Sequence, residues 1–177
     1  MPDIEIKARY ANLEYGEKMA LELHARSVGT ENQIDTYFRV PEGSLGRLKL
    51  RESDLEKPRL IPYVRPNQKG PKLSDYLLLP VEKPEHLKDL LSRILGIETV
   101  VRKTRRIFLI ENVRVHLDQV EKLGTFLEFE AVFEGDTDGI RANECDKVEE
   151  LMRKFGVAEA DLVEGSYREM MLLTTTQ

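Results

Sequence analysis

The sequence predicts an α+β fold: an eight-stranded antiparallel β-barrel, a tunnel with a polar, charged lumen and helices packed outside. Three observations carry this. About eight strand-like stretches follow one another through short turns, which favours antiparallel pairing. Several alternate apolar with charged residues at period two, so each has two unlike faces. The helical stretches need an apolar sheet surface to cover, which turns the charged faces inward. Closure into a barrel also removes exposed edges.

The elements follow in order. Asp3 to Tyr10 forms the first strand, with Ile4, Ile6 and Ala8 on one face and Asp3, Glu5, Lys7 and Arg9 on the other. Asn12 caps a helix over Leu13 to Val28, with Gly29 as its stop. Gln33 to Val40 alternates again, placing Gln33, Asp35, Tyr37 and Arg39 together, and Pro41-Glu42-Gly43 is a turn. Arg47, Lys49 and Arg51 alternate with Leu48 and Leu50. Pro62 makes the Arg59–Arg65 strand irregular or an edge. A loop covers Pro66 to Pro71, and a strand covers Leu73 to Val81.

Pro84 opens a helix running to Leu95 and closed by Gly96, with Leu87, Leu90, Leu91 and Ile94 on its core face. Thr99–Ile110 and Val113–Val120 form a hairpin turning at Glu111-Asn112. A turn at Lys122-Leu123-Gly124 leads into Thr125–Phe133. An acidic loop, Glu134 to Gly139, precedes a helix over Asn143–Phe155 with an apolar stripe of Val148, Leu151, Met152 and Phe155. A last helix carries Tyr167 to Leu173.

At 177 residues the expectation is a single domain over 1–177. The net charge of −5 argues against a general nucleic-acid binder, and no apolar run approaches membrane-spanning length. The lone Cys145 excludes an internal disulfide and fits a reducing compartment. Asp3 and Glu5 interrupt any apolar leader, so a cytoplasmic protein is expected, as a monomer or homodimer.

The inward-facing charges divide by sign. The acids are Asp3, Glu5, Asp118, Glu128 and Glu130. Carboxylates at i and i+2, joined by others from neighbouring strands, suit a hard cation such as Mg2+ or Mn2+. Unpaired carboxylates at ~4 Å repel by about 4 kcal/mol at an effective dielectric near 20, so a cation must sit among them. Asp118 shares the lumen with Glu128 only if cross-strand partner numbers sum to an even number. That needs an odd-length loop or a bulge, for which Gly124 is suited. The bases are Lys7, Arg9, Arg39, Arg47, Lys49, Arg51, Arg65, Lys103, Arg105 and Arg114, a receptor for phosphate oxygens. On any single strand such a face is ordinarily solvated. Its recurrence with apolar residues at every alternate position favours a site. Arg102 and Arg106 fall on the outer face. His24 and His86 read as exposed helix residues, His116 as a lumen hydrogen-bonder, and Cys145 as an inert helix residue. Gly70-Pro71-Lys72 lacks phosphate-loop spacing.

Asp3-Ile4-Glu5-Ile6-Lys7 resembles the Glu-x-Glu-x-Lys signature that opens the CYTH family, the triphosphate tunnel metalloenzymes. Gln33-x-Asp35-Thr36-Tyr37-Phe38, Leu48-Lys49-Leu50-Arg51-Glu52, Lys103-Thr104-Arg105, His116-Leu117-Asp118 and Glu128-Phe129-Glu130 follow in that family's order. Ser166-Tyr167-Arg168 resembles the close of class IV adenylyl cyclase sequences. The resemblance implies an eight-stranded tunnel that binds a triphosphate with Mg2+ or Mn2+. It implies metal-side carboxylates at Glu5, Glu128 and Glu130, helped by Asp3 and Asp118. It implies phosphate-side cations at Lys7, Arg9, Lys49, Arg51, Lys103 and Arg105, with Arg65 as the candidate on the fourth strand and Tyr63 as the alternative contact there. Asp3 departs from the signature by one methylene. The expected activity is a metal-dependent triphosphatase, with catalysis assigned to Glu5, Lys7, Arg51, Lys103, Glu128 and Glu130. The alternatives are adenylyl cyclisation of ATP and a polyphosphate-binding module without turnover.

Overall fold

A computed structural model describes residues 3–67, 69–135 and 137–175. Gln68, in the Pro66–Pro71 loop, and Asp136, in the acidic loop, lie outside the described residues. The strands are β1 (Asp3–Arg9), β2 (Arg26–Phe38), β3 (Gly46–Ser53), β4 (Arg59–Val64), β5 (Lys72–Tyr76), β6 (Leu79–Pro80), β7 (Ile97–Ile110), β8 (Val113–Val120) and β9 (Gly124–Val132). The helices are α1 (Leu13–Glu22), α2 (Pro84–Leu95), α3 (Asp138–Lys154) and α4 (Tyr167–Thr175). Neighbouring strands run antiparallel in the order β3-β2-β7-β8-β9-β1-β5-β4, and β3 pairs with β4 to close an eight-stranded barrel. β5 and β6 both pair with β4, so they are two halves of the strand expected over 73–81, broken at Leu77-Leu78. Among the described residues no helix is long and apolar enough to cross a membrane.

The outward faces of β1, β8 and β9 form the main core under α1 and α3. Ile4, Ile6, Val115, Leu117, Leu127 and Phe129 pack there with Leu13, Ala20, Val148, Leu151 and Phe155. Phe129 meets Phe155 edge to face, with ring centroids 5.1 Å apart. Full burial of such a side chain contributes roughly 1.5–3 kcal/mol, so this face fixes the barrel's inside-out assignment. A slip of one residue in any of these strands would turn charges into it.

The helices depart from expectation in three places, the simplest being α3, which starts at Asp138 rather than Asn143 because the Thr137 side chain caps it by accepting from the Ile140 amide. The first does not run to Val28. It ends at Glu22, where the His24 amide donates to Leu21 O and the Ala25 amide to Ala20 O, with His24 at φ 58. This is a Schellman stop built on His24 in the left-handed region, so His24 lies beyond the helix. Gly29 instead sits at a bulge in β2, where the register with β7 shifts between Ser27 and Gly29. The remaining departure is α2, in which no residue is buried; Leu90 and Ile94 of its expected core face are 37% and 72% exposed. It lies chiefly against β2 and β3, and Lys88 pairs there with Glu52, so the surface beneath it is partly polar. His86 is exposed on α2, as expected.

Candidate active site

The lumen is a cavity of ≈ 590 Å³. Cross-strand register puts its charged residues side by side. Glu5 and Lys7 on β1 face Glu130 and Glu128 on β9. Arg114 and His116 on β8 face Glu130 and Glu128 from the other side. Arg105 on β7 faces Asp118 on β8, and Asp35 on β2 faces Arg51 on β3. The β8–β9 partners sum to an even number, with Asp118 opposite Phe126 and Val120 opposite Gly124. The three-residue loop between those strands is odd in length, and Lys122 (φ 67) and Gly124 (φ 98) supply its left-handed turns. Asp118 therefore stays on the lumen side, its carboxylate buried among lumen groups.

The basic wall is held by acids placed behind it. Asp35 accepts from Arg51 Nε and Nη2, both at 2.7 Å, and from Lys49 Nζ at 3.0 Å. Burial pushes the Asp35 carboxyl up, but Arg51 and Lys49 hold it well below the usual carboxylate range. Asp118 accepts a two-point fork from Arg105 at 2.7 and 2.6 Å and a 2.7 Å bond from the Tyr167 hydroxyl. Burial opposes its ionisation, yet Arg105 and Lys103 bring it to about 2. Both Asp118 oxygens are thus engaged. This departs from its expected place as a metal donor and makes it a group that orients Arg105. Lys103 has no hydrogen bond or ion pair among the described residues. Its ammonium lies 5.1 Å from the Tyr167 ring centroid, and burial followed by Arg105 brings it down to about 7.

The acids are partnered unevenly. Glu128 meets Lys7 at 2.5 Å, His116 Nδ1 at 3.1 Å and Arg105 at 3.2 Å. Glu130 has Arg114 at 3.3 Å and His116 Nε2 at 3.8 Å, and Glu5 pairs with Arg65. Asp3 is buried, and its Oδ1 has no hydrogen-bond partner. Burial, then the charges of Glu130, Glu5 and Glu128, pushes its carboxyl up to about 10. No three Asp, Glu, His or Cys side chains among the described residues already converge as a metal cage. Mg2+ needs only one or two carboxylates and completes its shell with water and phosphate oxygens. An orphaned carboxyl oxygen amid like charges fits such a cation.

Three expected bases lie outside the cavity. Arg9 is exposed, donating to Leu123 O at 3.2 Å with its guanidinium 5.2 Å from the Phe126 ring centroid. Arg39 follows the end of β2, exposed beside Gly96. Arg9 is the last residue of β1, paired with Phe126, and Arg39 follows a register shift between Tyr37 and Phe38 that interrupts the alternation of β2. Arg47 likewise turns to Glu169 at 3.4 Å. The expected list lacks Asp35, Tyr37 and Tyr167, which line the cavity together with Tyr63, the alternative contact on the fourth strand. Asp35 and Tyr37 carried a signal, sharing the inward face of β2. Tyr167 comes from α4, which lies across one end of the lumen and brings its ring to 4.3 Å from Lys7 Nζ.

Comparison with known proteins agrees with this architecture. No curated protein matches the chain in sequence. Among solved structures, the PH1012 protein of Pyrococcus horikoshii OT3 is similar, with TM-score 0.79 and 26% identity over 94% of this chain and 98% of that one. A Vibrio parahaemolyticus protein provisionally named an adenylate cyclase has TM-score 0.76 and 22% identity, covering 96% of this chain and 97% of that one. A Hippeastrum protein, provisionally named an adenylyl cyclase and described as having a dominant triphosphatase activity, has TM-score 0.61 and 18% identity. That match covers 98% of this chain and 96% of that one. The family model for the CYTH domain matches residues 1–167, and the chain belongs to the CYTH domain family.

Proposed function

We propose that the protein is a metal-dependent triphosphatase that hydrolyses inorganic tripolyphosphate or an organic triphosphate inside the barrel. The observation that carries this is the charged lumen: half-buried Lys49 and Arg51 and buried Lys103 and Arg105 on one side, and the crowded acids Asp3, Glu5, Glu128 and Glu130 on the other. The Hippeastrum relative's described activity supports hydrolysis over cyclisation. The phosphate chain lies along Lys7, Lys49, Arg51, Lys103 and Arg105, with Arg65 and Arg114 flanking the acids. Asp35 and Asp118 keep the guanidiniums oriented before substrate arrives, so little reorganisation accompanies charge development on the phosphoryl group. Glu130, which burial opposes but His116, Asp3 and Arg114 keep ionised, stands on the metal side of the lumen, and a carboxylate of that side takes the proton of the attacking water. As the water oxygen bonds to the terminal phosphorus, the bridging P–O bond breaks and the basic wall receives the leaving diphosphate. Mg2+ or Mn2+, held by Asp3, Glu5 and Glu130 with Glu128 alongside, would supply Lewis-acid neutralisation of phosphate oxygens when bound.

The test is a turnover panel of tripolyphosphate, thiamine triphosphate and ATP, each with Mg2+ and with Mn2+, with products separated. Release of phosphate is expected. Cyclic AMP with pyrophosphate would favour cyclisation instead, and tight binding without products would favour a binding module.

Lys103 gives a pH prediction. Its ammonium faces Arg105, Arg51, Asp118, Asp35 and the Tyr167 ring, and its proton is held only up to about pH 7. A lysine brought below its ordinary value is charged under that pH and neutral above it. Attraction for the anionic substrate therefore weakens as pH rises through about 7. Because kcat/KM reports the free enzyme, it should fall there for tripolyphosphate. Lys103→Arg, whose guanidinium stays charged, should flatten the descent. An unchanged profile in that variant would assign the descent to another group.

A further inference from the structure

Gln33 and Lys103 are direct partners in the β2–β7 ladder, and both line the cavity. Residues directly opposite in an antiparallel pair hold their Cβ atoms about 4.5–5.5 Å apart. Both side chains are buried. Gln33 Oε1 has no donor, and the Lys103 ammonium has no hydrogen bond or ion pair among the described residues. The register thus sets a buried acceptor without a donor against a buried ammonium without an acceptor. Buried polar groups are nearly always paired, so two orphans of opposite kind on facing positions point to each other.

The Gln33 amide is held in one orientation. Its Nε2 donates to Glu31 Oε1. Glu31 is itself buried, and its Oε2 accepts from Ser53 Oγ at 2.7 Å. The backbone amides of Leu55 and Glu56 donate to that hydroxyl at 3.1 and 3.3 Å, which leaves its proton for Glu31. A flipped Gln33 amide would set carbonyl against carboxylate, acceptor on acceptor. The relay from Ser53 through Glu31 to Gln33 therefore runs one way and ends on a free carbonyl oxygen. Such an oxygen in a wall of bases cannot serve phosphate, whose own oxygens are acceptors. It suits an ammonium.

Resting on the triphosphatase reading, we infer that Gln33 is a positioning residue for Lys103: its carbonyl receives the Lys103 ammonium, directly or across one water, and keeps that lysine charged and aimed at the phosphate chain. A water that bridges two such groups is nearly as favourable in enthalpy as a direct bond, and an acceptor that meets the charged form favours it. The charged surroundings leave this task to Gln33. Glu31 and Asp35 stand on β2, Arg51 on β3, Arg105 on β7, Asp118 on β8 and Tyr167 on α4. Lys49 shares Asp35, and Lys7 shares the Tyr167 ring. Burial and Arg105 oppose the Lys103 charge, while Asp35 and Asp118 are already committed to guanidiniums.

The test is the pH dependence of kcat/KM for tripolyphosphate in the wild type, Gln33→Met, Lys103→Arg and the double variant. Gln33→Met keeps the side-chain length and removes the acceptor. Its descending limb should lie roughly one to two pH units below that of the wild type, the scale of one hydrogen bond to a charged group. The deficit should be largest near pH 7 and shrink as pH falls. In the Lys103→Arg background, where the guanidinium stays charged, the same replacement should move no limb. The position of a limb does not depend on how much of the protein is folded. A limb that Gln33→Met leaves in place overturns the inference. So does an equal loss at every pH, which would put Gln33 on the substrate or in the fold alone, and so does the same shift in the Lys103→Arg background. If the wild type releases no phosphate at any pH, the triphosphatase reading fails by itself. Calorimetric affinity for tripolyphosphate against pH then decides the inference by the same shift or its absence.

Discussion

Arg105→Ala should destabilise the protein by about 3–5 kcal/mol, the usual cost of leaving one member of a buried ion pair uncompensated. Asp118 is fully buried, and both of its oxygens accept from Arg105. Removing the guanidinium leaves Asp118 with the Tyr167 hydroxyl alone and leaves Glu128 without its Arg105 contact. The measurement is the midpoint of urea unfolding, with the slope checked to confirm that the transition stays two-state. Asp118→Ala combined with Arg105→Ala should recover much of the loss, because the stranded charge leaves with its partner. Turnover should stay lost in both, since a phosphate-binding group is gone. A single variant as stable as wild type would mean that the Asp118 carboxylate is not held in the barrel as described.

Arg51→Ala should lower kcat/KM for a triphosphate by roughly ten- to a hundredfold or more, because a hydrogen bond to a charged group contributes about 1.5–3 kcal/mol. Asp35 keeps Lys49 at 3.0 Å, so the wall is weakened without a stranded acid. Extra metal should not restore the rate. Glu130→Gln keeps size and removes one charge from the acidic side, so its activity optimum should move to higher metal concentration. Rate measured against metal and against substrate separately distinguishes the two. Rescue of Arg51→Ala by metal, with none for Glu130→Gln, would reverse the roles assigned to the two walls.

The inside-out barrel was legible because period-two alternation is a local property. Lys49 and Arg51, Lys103 and Arg105, and Glu128 and Glu130 each declare a face within three residues, and that face is the cavity wall. Alternation reports which face, not how far along the barrel. Arg9 and Arg39 therefore read as lumen residues although Arg9 ends β1 and Arg39 follows a register shift, both outside the cavity. It also pairs nothing across strands. The basic wall read as free charge, whereas Asp35 and Asp118 stand behind it as counter-ions. Tyr167 was hidden because a helix reaching across a tunnel end leaves no periodic mark on the strands it meets. A glycine can end a helix or sit in a bulge, and Gly29 took the second role while His24 took the first. The stripe on α2 announced amphipathicity correctly, but not whether a surface existed to cover it.

The central claim is that this lumen is a triphosphate receptor whose bases grip the phosphates. Calorimetric titration of tripolyphosphate into the wild-type protein, with and without Mg2+, tests it most directly. One saturable site per chain is predicted, tighter with the metal present, and lost when Lys49, Arg51 and Lys103 are all replaced by Ala in a chain that remains folded by circular dichroism. The absence of saturable binding in the wild type, or binding that the triple replacement leaves intact, would contradict it.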